Sequence, residues 1–260
     1  MGHERIGFLP RTKQWNRLTE QIATYDGDVR SAKVIADQAL RAIRDKYNSL
    51  TNDESFIKAI RFFVTLSVSA SKENQISFLQ SVGYSIPSEL TIYSILSNAN
   101  LQITTESGSL ETNKLVRDSA MQAIIEYCQN KCEDDQLSFF NDTDDSVWRM
   151  IGNGAAFCEM TRSFFAAFTN RQLRYYIERT AASTIDDYSR LNSFISNLEK
   201  TSNEIADHSF EISKLVQSYA AGWYNTHART KIPTDQEIVN FLRLSFGKLR
   251  EEFRREAEGA

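Results

Sequence analysis

From residue 170 to residue 223 the chain contains no proline, and no glycine before Gly222. Stepping alternately by four and three from Ile177, the positions are Ala181, Thr184, Tyr188, Leu191, Ile195, Leu198, Ser202, Ile205, Ser209, Ile212, Val216, Tyr219 and Trp223. All but Thr184, Ser202 and Ser209 are apolar or aromatic, and the frame never slips. A 3.5-residue seam of this kind is the pattern of helices packed knobs into holes. Unbroken, roughly fifty residues at about 1.5 Å each make a rod of about 75–80 Å. A compact chain of this length has a radius of gyration of only about 18 Å, so such a rod would act as a spine that either protrudes or forces an elongated molecule. Thr201 and Glu204 could form a capping box and are the expected weak point. The frame is identical on both sides of them, and we expect one helix or two nearly collinear ones.

The rest of the chain points the same way. Only 3 prolines and 10 glycines punctuate 260 residues, and 41% hydrophobic with 25% charged residues is ordinary for a globular protein. The expected class is all-α, a bundle of eight or nine helices with the 170–223 spine. Residues 1–11 form a basic arm, 12–100 a first helical half and 110–260 a second, joined by a loop at 101–109 over one continuous core.

In order, Trp15, Leu18, Ile22 and Tyr25 mark a first helix. A second runs from Val29 to Leu50 with a small-residue middle. Thr51 and Glu54 read as a capping box opening a central third helix, apolar on several sides. A short helix closes at Gly83, and Pro87 is expected to start another, since proline suits a first turn. Leu115, Val116, Ala120, Ala123, Ile124 and Tyr127 face inward from a helix over 110–129. An acidic connector at 132–145 precedes a phenylalanine-rich helix over 147–168 that contains Gly152 and Gly154. Thr234 and Glu237 form a second capping box for a last helix, with Ile238, Phe241, Leu242, Ser245, Leu249 and Phe253 inward, which should fray beyond Arg250. No repeat of 30–45 residues is present, which argues against helical solenoids.

Chemistry is sparse. The histidines, His3, His208 and His227, have no metal-ligand spacing, and Cys128 and Cys132, one helical turn apart, have only Cys158 to join them. The acidic run 141–145 lacks the glycine and terminal glutamate of a calcium loop. Gly152-Asn153-Gly154 follows no strand, so it is not a phosphate loop. Neither His208 nor His227 has an arginine four to six residues ahead, the spacing many helical ribonucleases carry. No cofactor, metal or catalytic motif is found, and the expectation is a protein that is not an enzyme.

Two clusters remain as candidate interaction sites. The arm carries Arg5, Arg11 and Lys13, with Ile6, Phe8 and Leu9 between the charges and Trp15 just beyond. It could touch phosphates or dock on protein, and the formal net charge of −4 favours docking. The second cluster is Trp223, Tyr224, His227 and Arg229. The leading expectation is therefore a helical subunit or adaptor, bound to a protein partner or to further copies of itself. One alternative is a membrane-acting, pore-former-like protein whose 147–168 segment inserts after rearrangement. Another is an accessory nucleic-acid-binding subunit using the arm, of the kind a bacterial antiviral system would employ. The apolar windows are too short or too interrupted by charge to span a bilayer, residues 1–10 do not read as an export signal, and a reduced cytoplasmic location is expected.

Overall fold

The structure is a computed structural model and describes residues 9–43, 46–131, 145–200, 214, 216–217 and 219–258. Arg5, Ile6 and Phe8 of the arm, most of the acidic connector and the Thr201–Glu204 box lie outside them, as does the Phe253 side chain. Every element is helical, and no strand occurs among the described residues. The all-α bundle is what the chain adopts. Its helices outnumber the expected eight or nine because several expected helices are divided by caps.

The first third follows its periodicity closely. Helix α1 (Lys13–Ala23) starts at Thr12, whose hydroxyl accepts from the Trp15 amide at 3.1 Å, and it buries Trp15, Leu18 and Ile22. Helix α2 is described over Val29–Ile43, and Tyr47–Leu50 forms a separate turn, α3, so the 29–50 reading is divided. Helix α4 (Glu54–Ala70) is capped by Asp53, whose carboxylate accepts from the Ser55 amide at 2.9 Å. The expected Thr51–Glu54 box does not form. Glu54 turns instead to Lys58 at 3.0 Å and to the Ser107 hydroxyl. These partners hold its carboxyl down at about 2.

Helix α5 (Gln75–Ser81) is short. Helix α6 (Ile92–Ile103) begins not at Pro87 but at Thr91, where Thr91 and Ser94 exchange a reciprocal capping box. A hydroxyl pair satisfies two orphan amides, and that outweighs the fixed φ of proline. Helix α7 (Leu110–Lys131) matches its expected inner face, except that Leu115 is half-buried.

The 147–168 helix is not one element. Helix α8 (Asp145–Met150) ends before Gly152, and Asn153 caps helix α9 (Gly154–Thr184) by accepting from the Ala156 amide at 3.0 Å. Gly152 packs against the end of α4. A Cβ there would stand 2.8 Å from that of Ala70, so the corner admits no larger residue without a shift.

The long seam is also broken. Its first part belongs to α9, which at about 1.5 Å per residue is about 46 Å long. That helix ends at Thr184, and helix α10 (Tyr188–Lys200) starts after three intervening residues. A spine over 170–223 is thus corrected to a break at Ile185-Asp186-Asp187. Thr184 and Ile185 are β-branched and poor helix formers. Asp186 and Asp187 oppose the negative end of α9 and favour the positive end of α10. Asp187 completes the restart by accepting from the Arg190 amide at 2.8 Å. Helix α10 then lies along α2 and the α1–α2 loop. There Asn197 donates to the Tyr25 hydroxyl at 2.6 Å and the Gly27 carbonyl at 2.9 Å, and Arg190 reaches the Ala23 and Tyr25 carbonyls.

Residues 219–223 are helical and pass into one wide π-helical turn, Tyr224–Ala228. The Thr234–Glu237 box forms as expected, with the Thr234 amide 2.8 Å from Glu237, and opens helix α11 (Asp235–Glu258). That helix does not stop at Arg250. One core joins these pieces. At its centre Phe56 meets Phe168 and Phe246 edge-on at 4.7 and 5.1 Å, and Phe164 and Phe165 complete the cluster.

Candidate interaction surfaces

The root of the arm is fixed to the domain. Leu9 packs on the core, Pro10 is buried, and Arg11 and Lys13 are exposed. Trp15 is not on the surface. It is 2% exposed and meets the Tyr176 ring of α9 edge-on at 5.9 Å, so it cannot offer a face to a nucleotide base.

Around Tyr176 the fold assembles a group that the sequence reading did not single out. Lys46, just before α3, donates to the Tyr176 hydroxyl at 3.3 Å and sits 4.8 Å over its ring. Tyr175 lies 5.6 Å from Tyr176, receives a hydrogen bond from Arg179 at 3.1 Å and donates to Glu111 at 3.3 Å. Burial pushes the Tyr176 phenol up to about 12, while burial and the nearby Arg179 guanidinium push the Lys46 ammonium down. Each of two neighbouring phenols therefore accepts from a cation, Tyr176 from Lys46 and Tyr175 from Arg179. The pieces come from positions 130 residues apart, and only the i,i+4 step from Tyr175 to Arg179 is visible in sequence.

The second cluster does come together. Trp223 and Tyr224 stack on Phe157 at 5.8 and 5.2 Å, and Trp223 lies 4.6 Å from Phe241. Both are buried, so they are core rather than surface. His227 is half-buried, stacks on Trp223 at 5.8 Å and has its Nδ1 3.2 Å from Glu237 Oε1. The Thr234 amide, His227 and the Thr234 hydroxyl hold the Glu237 carboxyl down at about 2. Arg229 is exposed. The arrangement ties the π turn to the start of α11, across the turn at Pro233. It lies far from the arm: Phe157 and Tyr176 are nineteen residues apart on α9, about 28 Å along the axis.

Other chemistry is muted. Among the described residues no three His, Cys, Asp or Glu side chains gather as metal ligands. Cys158 is buried, and burial raises its thiol to about 11, far from a working nucleophile. An open cleft of about 340 Å³ lies between α1 and α2, with Asp26 and Arg30 at its rim and Val34 and Ile35 among its apolar lining. On α6, Tyr93 and Leu101 are 61% and 59% exposed, two turns apart on one side of the helix.

No protein-family model, curated protein or solved structure matches this chain.

Proposed function

We propose that this chain is a non-enzymatic helical subunit that acts by binding a protein partner or further copies of itself. The observation that carries the reading is the pair of large apolar side chains that α6 leaves in solvent, Tyr93 and Leu101. Among the described residues every tyrosine and cysteine whose pKa departs from its ordinary value is pushed upward, Tyr127 and Tyr176 to about 12 and Cys158 to about 11. These directions supply no activated phenol or thiol, while burial moves Lys46 the other way. What faces solvent is binding chemistry: Arg11 and Lys13 at a rooted arm, and Tyr93 and Leu101 on α6.

The alternatives draw less support. A pore-forming rearrangement would have to expose Phe157, Phe164, Phe165 and Phe168, all fully buried, at roughly 1.5–3 kcal/mol for each such ring. No helix among the described residues is long and apolar enough to cross a membrane. For nucleic acid, the arm retains its charges but loses Trp15 as a stacking face.

The test is native mass spectrometry of assemblies recovered with the tagged chain from its own cells. The wild type is compared with a variant lacking residues 1–11 and with Tyr93→Arg/Leu101→Arg. One of these variants should lose the partner or the oligomer while keeping the wild-type melting temperature. Assembly unchanged in both, or only monomer recovered from the wild type, overturns the reading.

A further inference from the structure

Residues 74–105, which hold α5 and α6, include a single charged side chain, Glu89, in a chain that is 25% charged. Helix α6 turns Ile92, Ile95, Ala99 and Ile103 inward. It leaves Tyr93, Ser97, Asn100 and Leu101 exposed, with its C-cap Thr104. At 3.6 residues per turn these five fall within about 100° of one another, so they form one stripe. A solvated helix face ordinarily carries charge, and this one carries none. Each of its hydroxyls and its amide both donates and accepts hydrogen bonds. Such groups can pair with copies of themselves, whereas a lysine or a glutamate cannot. Depletion of charge around an aromatic anchor is the composition of an interface centre.

We propose that this stripe pairs with the same stripe of a second copy, antiparallel and about a two-fold axis at Ser97; the inference rests on the binding role above and names its partner. Ser97 stands four residues from Tyr93 and four from Leu101, midway between them along the helix and around it. With Ser97 facing Ser97, Tyr93 of each protomer meets Leu101 of the other, and the small side chain at the crossing lets the backbones approach. That reciprocity is what an isologous contact demands. Charge favours a second copy as well. The formal net charge is −4, so two copies repel where acidic faces meet, and an uncharged stripe is where they can touch without that cost. The ends set the direction. Glu89 is exposed just ahead of the Thr91 cap. At the far end Lys58 donates to the Thr104 carbonyl at 3.0 Å and Arg117 to its hydroxyl at 3.4 Å. Antiparallel pairing keeps the two Glu89 side chains about 24 Å apart and carries each toward the other protomer's Lys58 and Arg117. Those cations already have Glu54 and Asp118 on their own chain, so Glu89 orients the pair and adds little to its strength. A parallel pair would set Glu89 against Glu89.

Helix α6 is only about 18 Å long, so the contact is small and weak. Sedimentation velocity of the purified full chain at about 1–200 µM should show a monomer–dimer equilibrium with a Kd of about 10–100 µM. Tyr93→Arg and Leu101→Arg should each raise that Kd about tenfold or more while melting as the wild type does. In a Cys132→Ser background, Ser97→Cys should cross-link to its own copy under mild oxidant, and Glu89→Cys should not. If the arginine variants fail to fold, the cross-linking alone decides. Self-pairing is overturned by a monomer throughout this range, by a dimer that survives both arginine variants, or by cross-linking through Glu89→Cys in place of Ser97→Cys. The binding role fails separately. A purified chain that stays monomeric, yet brings from its own cells a different protein that Tyr93→Arg/Leu101→Arg releases, overturns self-pairing and leaves that role standing.

Discussion

Helices α9 and α10 share one heptad frame in sequence and take opposite places in the molecule. Helix α9 is buried on nearly every side, with Phe157, Phe164, Phe165, Phe168 and Ile177 all inaccessible to solvent. Helix α10 is a surface helix, buried along one stripe of Phe194, Asn197 and Leu198. The frame position Tyr188 is 77% exposed, and Leu191 and Ile195 are only half-buried. A periodic seam therefore specifies that helix forms and roughly which face is apolar. It does not specify that the helix continues, or how deeply it lies.

The sharpest way to break this comparison is to remove one ring from α9. Phe164 touches Phe56, Phe63 and Phe165. Phe164→Ala should cost about 3–5 kcal/mol, the range for emptying a tightly packed aromatic site. A loss below about 1.5 kcal/mol in urea unfolding would mean that α9 is not the centre of the core.

On α10 the same kind of truncation should separate two positions the seam treats as equals. Leu198 is fully buried, and Leu198→Ala should cost about 2–4 kcal/mol. Leu191 is half-buried, and Leu191→Ala should cost about 1 kcal/mol. Equal losses at the two sites would restore the continuous seam and overturn the amphipathic placement of α10.

Alkali sharpens the contrast at the other end of α9. The folded-state pKa of Tyr176 is raised, so its contribution is fully present below the unfolded value of about 10 and is lost as pH climbs toward about 12. By pH 11 the loss is about 1–1.5 kcal/mol for a shift of this size. Tyr176→Phe should flatten the fall in stability between pH 9 and pH 11 by that amount. An unchanged pH profile would mean that this phenol ionises as freely in the folded chain as in the unfolded one.

Much of the fold was legible because its signals are local. The stripes of α1, α7 and α11 and the Thr234–Glu237 box needed only residues three or four apart, and apart from the half-buried Leu115 those features form as read over the described side chains. Helix starts were misjudged where two acceptable signals competed: Thr91 with Ser94 prevailed over Pro87, and Asp53 over Thr51. The break at Asp187 left the apolar frame undisturbed and so passed unnoticed, and Asn153 lay inside a run read as one helix, although Asn and Asp are ordinary capping residues. The candidate sites fared worse for a physical reason. Trp15, Trp223 and Tyr224 were singled out by residue type, and residue type does not report burial. The corner at Tyr176 draws on α1, α7, α9 and the turn before α3, and no spacing rule gathers those from the sequence.

The smallest expected effect tests why the two helices are two. If the Asp187 side chain drives the restart, Asp187→Ala removes the acceptor for the Arg190 amide and the charge that favours the start of α10. The cost should be about 1 kcal/mol, expressed mainly as faster amide exchange over 188–192, with α9 unaffected. Asp187→Asn keeps the acceptor, loses the charge and should cost less than half as much. Suppose instead that Asp187→Ala is neutral or stabilising and slows exchange through 185–187. The apolar frame would then have been sufficient to carry the helix across, and the aspartates alone would be holding the two halves apart.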